Sequence, residues 1–255
     1  ANKVTINVGG SVAGAGTGKF VNGYLEKNVG AGTNVSRTYE VGSGSSHFLP
    51  LVFSFANVST AGKITVRANN GDHGNIATSC IDETKSVNRN WELINSGTVF
   101  TTYSATCTFI GVPTDGDAGS ISANYYMALY NGSVWTTLTR GAVTATTNQA
   151  TGITNVGYLQ IGERRAPVIT TQPVNVNVCG ASAASFVVVA SGLGLTYQWQ
   201  LSTNGGATYN NIINGGVYSG ATTATLNISN TAGLNNNRYR CIVSSSCSTS
   251  TTSNA

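Results

Sequence analysis

Charge is scarce in this chain. Of its 255 residues only 9% are charged, 13 Lys plus Arg against 9 Asp plus Glu, for a formal net charge of +4. The cations are dispersed, with Arg164-Arg165 the single adjacent basic pair. A phosphate-tracking surface needs a clustered basic face, so nucleic acid is not an expected partner. Histidine occurs twice, and the five cysteines include no CxxC or Cys/His ligand spacing. Transition metals therefore lack a ligand set, and the cysteines fit disulfides formed outside the cell. No run of about 18 apolar residues is present, so no helical membrane span is expected. No charged, then apolar, then small-residue leader opens the chain, which reads as a mature product or an internal segment.

What is abundant is strand and turn chemistry. Thr and Val suit pleated surfaces, while 31 glycines and many Asn suit turns. Lys3-Val4-Thr5-Ile6-Asn7-Val8 alternates strictly, and similar runs recur through Ile161 at the spacing of an all-β sandwich. In the run Val99–Ile110, expected to be the longest strand, Val99, Thr101, Tyr103, Ala105, Cys107 and Phe109 share the core face. Trp91 is likewise assigned to packing. The expected architecture is all-β, with two β-sandwich modules in tandem: 11–163, a linker at 164–168, and a second module at 169–255.

The second module carries an immunoglobulin-like signature. Trp199, in Tyr197-Gln198-Trp199-Gln200, follows an alternating run. Tyr239 stands two residues before Cys241, the spacing of a tyrosine corner. Ser185–Ala190 and Ala224–Ile228 supply strands between them. Where the last strand is expected, Thr251-Thr252-Ser253-Asn254-Ala255 carries no apolar alternation. Reading Ser253-Asn254-Ala255 into Ala1–Val8 gives a polar entry followed by apolar alternation. Residues 1–10 are therefore expected to complete the Ig-like module of a preceding repeat, and 169–255 to lack its last strand in cis.

Cys107 faces inward, and Cys80, in the turn-rich span Asn69–Ser86, is its expected partner. Cys179 and Cys247 flank strands B and F and are expected to pair, leaving Cys241 buried and free; a Cys179–Cys241 bridge stays open as an alternative. No catalytic constellation is found: His73 and Asp72 are adjacent in a loop and cannot orient one another as base and carboxylate. No cofactor is expected. Asp115-Gly116-Asp117 is a candidate calcium turn, although it lacks the further ligands and distal Glu of an EF-hand loop. Trp135 and Tyr125-Tyr126 are candidates for a sugar-stacking platform.

The string Cys179…Tyr197-Gln198-Trp199-Gln200…Asn204-Gly205-Gly206…Tyr218-Ser219-Gly220…Tyr239-Arg240-Cys241…Cys247 resembles the Ig-like repeats of very large Bacteroidota cell-surface proteins. Phe20-Val21-Asn22-Gly23, Tyr39-Glu40-Val41-Gly42, Phe48-Leu49-Pro50-Leu51 and Asn88-Arg89-Asn90-Trp91 resemble a β-sandwich module of proteins exported by the type 9 secretion system. Gliding-motility adhesins are the most similar group. The resemblance implies display on the outer surface, attached to the outer membrane. It also implies neighbouring repeats as partners, and attachment to polysaccharide or a solid surface. The expected function is a spacer repeat of an adhesin filament; the alternative is a carbohydrate-binding accessory module of a secreted enzyme.

Overall fold

The computed structural model describes residues 3–255. Ala1 and Asn2, part of the segment expected to serve a preceding repeat, lie outside the described residues. Two compact units divide between Arg164 and Arg165. The architecture is all-β: among the described residues the only helices are two short 3-10 turns.

In the first unit the strands are β1 (Lys3–Ile6), β2 (Tyr24–Val29), β3 (Gly32–Tyr39), β4 (Gly42–Ser43), β5 (His47–Phe48), β6 (Leu51–Thr60), β7 (Gly62–Asn70) and β8 (Ile81–Ser96). They continue with β9 (Val99–Phe100), β10 (Tyr103–Thr108), β11 (Tyr126–Tyr130), β12 (Trp135–Thr137), β13 (Thr139–Val143), β14 (Thr147–Ile153) and β15 (Tyr158–Arg164). A seven-stranded sheet, ordered β1-β2-β7-β8-β15-β11-β12, faces a six-stranded sheet ordered β13-β14-β10-β6-β3, with β9 also paired to β6. Strand alternation sends one face of each sheet into a common core. On β6 and β10 the register sets Leu51, Phe53 and Phe55 beside Cys107, Ala105 and Tyr103. Phe53, Phe55 and Tyr103 lie with ring centroids 5.0–5.7 Å apart. Such aromatic pairs each add about 0.5–1.5 kcal/mol beyond area burial. Trp91 is fully buried, and its indole N–H donates to the Leu49 carbonyl at 3.1 Å.

The expected Val99–Ile110 strand is broken. Its inner half packs as read, but Val99 is 53% exposed and belongs to the separate β9, which pairs with the far end of β6. The longest strand is β8, at 16 residues. The opening segment also departs from expectation. Residues 3–6 form β1, an edge strand lying parallel to β2 with Val4 opposite Leu25. Glu26 on β2 fixes it there, accepting from Lys3 at 2.9 Å and Thr5 at 3.2 Å, and it also accepts from Lys63 on β7 at 3.1 Å. The Lys3 hydrogen bond, with Lys63 and Thr5 behind it, outweighs desolvation and lowers the Glu26 carboxyl to about 2. A depressed folded-state pKa contributes stability above the ordinary carboxylate value and loses it as pH falls through the folded value. Glu26→Gln is therefore expected to flatten the acid limb of first-unit stability between about pH 5 and about pH 2, read from urea midpoints across that range. Parallel acid limbs in variant and parent would refute this role.

The second unit runs through β16 (Val168–Thr171), β17 (Ala184–Val187), β18 (Val189–Ser191), β19 (Thr196–Ser202), β20 (Asn210–Asn211), β21 (Tyr218–Ser219), β22 (Thr225–Ile228), β23 (Arg238–Ser244) and β24 (Ser250–Thr252). The pairings β17-β22-β21 and β20-β19-β23-β24 are those of an immunoglobulin-like sandwich. Trp199, Cys241, Leu226 and Ile228 fill its core, with Phe186 packed against them. The tyrosine-corner reading is corrected: the Tyr239 hydroxyl meets that of Tyr218 at 3.1 Å, and its ring stacks on Phe186 at 4.9 Å.

The last strand is present in cis, contrary to expectation. Polar Ser250–Thr252 needs no apolar alternation, because hydrogen bonds to Ile242–Ser244 define it. The ladder extends to Ser253, whose N–H donates to the Cys241 carbonyl at 2.9 Å. Alternation turns the Tyr239 backbone toward the same edge, where no strand pairs with it among the described residues. Beside it lies a groove of about 570 Å³ lined by Val176, Ala184, Phe186, Ile228, Leu234 and Tyr239.

Neither expected disulfide forms. Cys107, Cys179 and Cys241 are free thiols, so neither Cys80–Cys107 nor Cys179–Cys247 is joined. Cys107 lies sealed inside the sandwich, while Cys80 precedes Ile81, which belongs to a small cluster with Ile76 and Ala128 apart from that core. Cys179 and Cys247 occupy opposite ends of the second unit. The Cys179 turn bonds through Ser182 and Gly180 to Thr231, whereas the Cys247 turn bonds through Ser246 to Leu193. The span of β17 and β18 separates them, roughly 25 Å at strand rise. The Cys179–Cys241 alternative also fails, since both thiols are free.

Candidate functional site

The outer face of the seven-stranded sheet collects side chains from six strands into one row. Strand β7 sets Arg67 opposite Glu92 of β8, Glu92 lies opposite Tyr158 of β15, Tyr158 opposite Tyr130 of β11, and Tyr130 opposite Trp135 of β12. At the other end the Arg67 guanidinium lies over the Tyr24 ring, 5.2 Å from its centroid. At the spacing of paired strands the row runs roughly 24 Å. The local sequences explain it. In Tyr126-Met127-Ala128-Leu129-Tyr130 and Tyr158-Leu159-Gln160-Ile161, Met127, Leu129, Leu159 and Ile161 enter the core, and the remaining residues take the opposite face of the sheet.

Glu92 organises one half of the row. Its two carboxylate oxygens accept the Tyr24 and Tyr158 hydroxyls, each at 3.0 Å, which fixes the orientation of both rings. The loop between β7 and β8 closes on the other half. His73 sits with ring centroids 4.6, 4.8 and 5.3 Å from those of Tyr158, Tyr130 and Trp135. Asn75 donates to the Tyr130 hydroxyl at 2.8 Å and accepts the Trp135 indole N–H on its carbonyl at 2.9 Å. Burial lowers the His73 pKa, so the ring is neutral at pH 7. Its Nδ1 accepts the Asn75 N–H at 3.2 Å, which puts the proton on Nε2. Nearby, Tyr126 lies between Arg140 and Arg164, 5.2 and 4.1 Å from its centroid. Fixed rings, hydroxyls, a carboxylate and a guanidinium on one sheet face can hold a sugar ring by stacking while bonding its hydroxyls.

Residues 168–255 match a family described only as a domain of unknown function (DUF8696). No curated protein and no solved structure matches the chain.

Of the residues singled out for stacking, Trp135 and Tyr126 stand on this face. Tyr125 is buried in the core beside Phe109, as is Trp91. Tyr24, Tyr130, Tyr158 and His73 were not foreseen; the outward positions of their alternating strands were the available signal. The calcium turn comes apart. Asp115 is fully buried and accepts from Arg89 Nε at 2.9 Å and from the Ile110 N–H at 2.8 Å. Asp117 instead accepts the Ser86 N–H and Asn88 Nδ2, each at 2.8 Å. The two carboxylates are thus held by different partners. Among the described residues no group of three or more His, Cys, Asp or Glu side chains is placed to hold a metal. Asp72 is held by Ser86 and Gln160. His47 Nδ1 lies 2.7 Å from Arg89 Nη2; the guanidinium can only donate, so that nitrogen is the unprotonated one.

Proposed function

We propose that the chain is a structural module of an extracellular adhesin filament, spacing a binding tip from the cell that displays it. The observation that carries this reading is the open edge of the second unit. Strand β23 is laddered to β24 over Ile242–Ser244 and on to Cys241, the stretch Val174–Val178 has no strand partner among the described residues, and an apolar groove lies beside both. Val174 and Val178 are 73% and 41% exposed, and Val176 and Val178 line the groove. A strand from a neighbouring module would hydrogen-bond to β23, cover Phe186 and Leu234, and join module to module along the filament. The partners on this reading are neighbouring repeats. The dense β-structure suits display outside the cell, on the outer membrane, and the function needs no catalysis and no cofactor.

Two copies of the sequence expressed end to end test it. The Tyr239 amide in the first copy is expected to gain about tenfold or more in protection from hydrogen exchange over the single copy. Unchanged protection at Tyr239 sinks the reading.

The aromatic row favours a second reading, a carbohydrate-binding accessory module of a secreted enzyme. Polysaccharide attachment by an adhesin would use the same face.

A further inference from the structure

The half of the row beyond His73 has Tyr24, Arg67 and Glu92 as its floor and ends at Tyr158, whose ring His73 touches; it is roughly 14 Å long at strand spacing. Its two rings are held in place before any ligand arrives, because Glu92 takes both hydroxyls. Preorganised groups lose little freedom on binding. Between the rings stands Arg67, and its side chain makes no ion pair among the described residues. Glu92, opposite it in register, already accepts two hydroxyls. The neighbouring lysines, Lys3 and Lys63, are both bonded to Glu26. This end of the face therefore sets three cations against two carboxylates, and its one uncommitted cation is the Arg67 guanidinium, held over the Tyr24 ring. A guanidinium with a free fork presents parallel N–H donors at the spacing of a carboxylate.

We propose that this face binds an acidic polysaccharide, taking a uronate carboxylate on Arg67 while sugar rings lie against Tyr24 and Tyr158. The proposal rests on the carbohydrate reading and adds the chemical class of the sugar. The neutral His73 ring, above Tyr158, walls the other end of the floor without adding a charge.

Affinity electrophoresis of the full chain through gels holding polygalacturonate, or a neutral β-glucan at the same mass, separates the outcomes. Polygalacturonate is expected to retard the protein and the neutral polymer to do so less. Arg67→Ala is expected to weaken uronate binding by about tenfold or more, with Arg67→Lys in between because it loses the fork. Arg240→Gln, which removes the same charge from the second unit, controls for plain polyanion attraction and is expected to migrate as the parent does. Equal retardation in both gels leaves a carbohydrate site but overturns the uronate assignment, as does an Arg240→Gln loss as large as that of Arg67→Ala. No retardation in either gel overturns the carbohydrate reading along with it.

Discussion

Asp115→Ala is expected to destabilise the first unit by about 3–5 kcal/mol, because it leaves a buried guanidinium without its counter-charge. Arg89 is 7% exposed on the inward face of β8, between Val87 and Trp91. Its Nε donates to Asp115 at 2.9 Å, and its Nη1 donates to the Ser43 hydroxyl at 2.8 Å and to Asn70. Nη2 donates to His47 Nδ1 at 2.7 Å. One side chain thus ties β4, β5 and the end of β7 to the loop that follows β10. Removing Asp115 also strips the acceptor from the Ile110 N–H. Removing both charges, as in Arg89→Met with Asp115→Ala, takes the unpaired ion away and is expected to cost clearly less than the two single changes summed. Urea unfolding of the four proteins reads the coupling directly. Additive losses would mean that Arg89 and Asp115 act through separate contacts.

Arg89 also marks where sequence reading stops. Alternation placed Val4, Ile6, Trp91, Tyr103, Cys107, Trp199 and Leu226 on strands, because the face a side chain takes is a property of its own segment. An arginine at an inward position between two apolar residues was a signal of a buried partner. Nothing local named Asp115 as that partner, since the pairing joins β8 to a loop 26 residues further on. The aromatic row is hidden for the same reason at larger scale. Tyr24, Glu92 and Tyr158 each sit at an outward position, yet their meeting depends on the register of β2, β7, β8 and β15, which only the folded sheet sets. The disulfide expectations failed on geometry of this kind: sequence offset placed Cys179 and Cys247 alike relative to their strands, but at opposite ends of the sandwich. The cis strand β24 was missed because its Ser and Thr pair through backbone, leaving no apolar alternation to read.

The largest effect in the second unit is expected from Trp199→Ala, about 3–5 kcal/mol, the range for emptying a large aromatic site in a core. Trp199 is fully buried among Cys241, Leu226 and Ala221. Its backbone N–H donates to the Ala221 carbonyl at 2.8 Å, and its indole N–H to the Thr223 carbonyl at 2.9 Å. The indole therefore both fills the space between the two sheets and pins the turn that leads into β22. A unit of this size holds roughly 5–14 kcal/mol in total, so the alanine change takes a large share of it. Trp199→Phe keeps most of the apolar surface but orphans the Thr223 carbonyl, and is expected to cost about 1–3 kcal/mol. Hydrogen exchange resolved along the chain separates the units, each of which has its own core. In Trp199→Ala the slowest amides of β19 and β23 are expected to lose protection, while those of β6 and β10 keep theirs. A phenylalanine variant as damaged as the alanine one would shift the weight from packing to the hydrogen bond. Equal loss of protection in β6 and β10 would mean that the two units do not unfold independently.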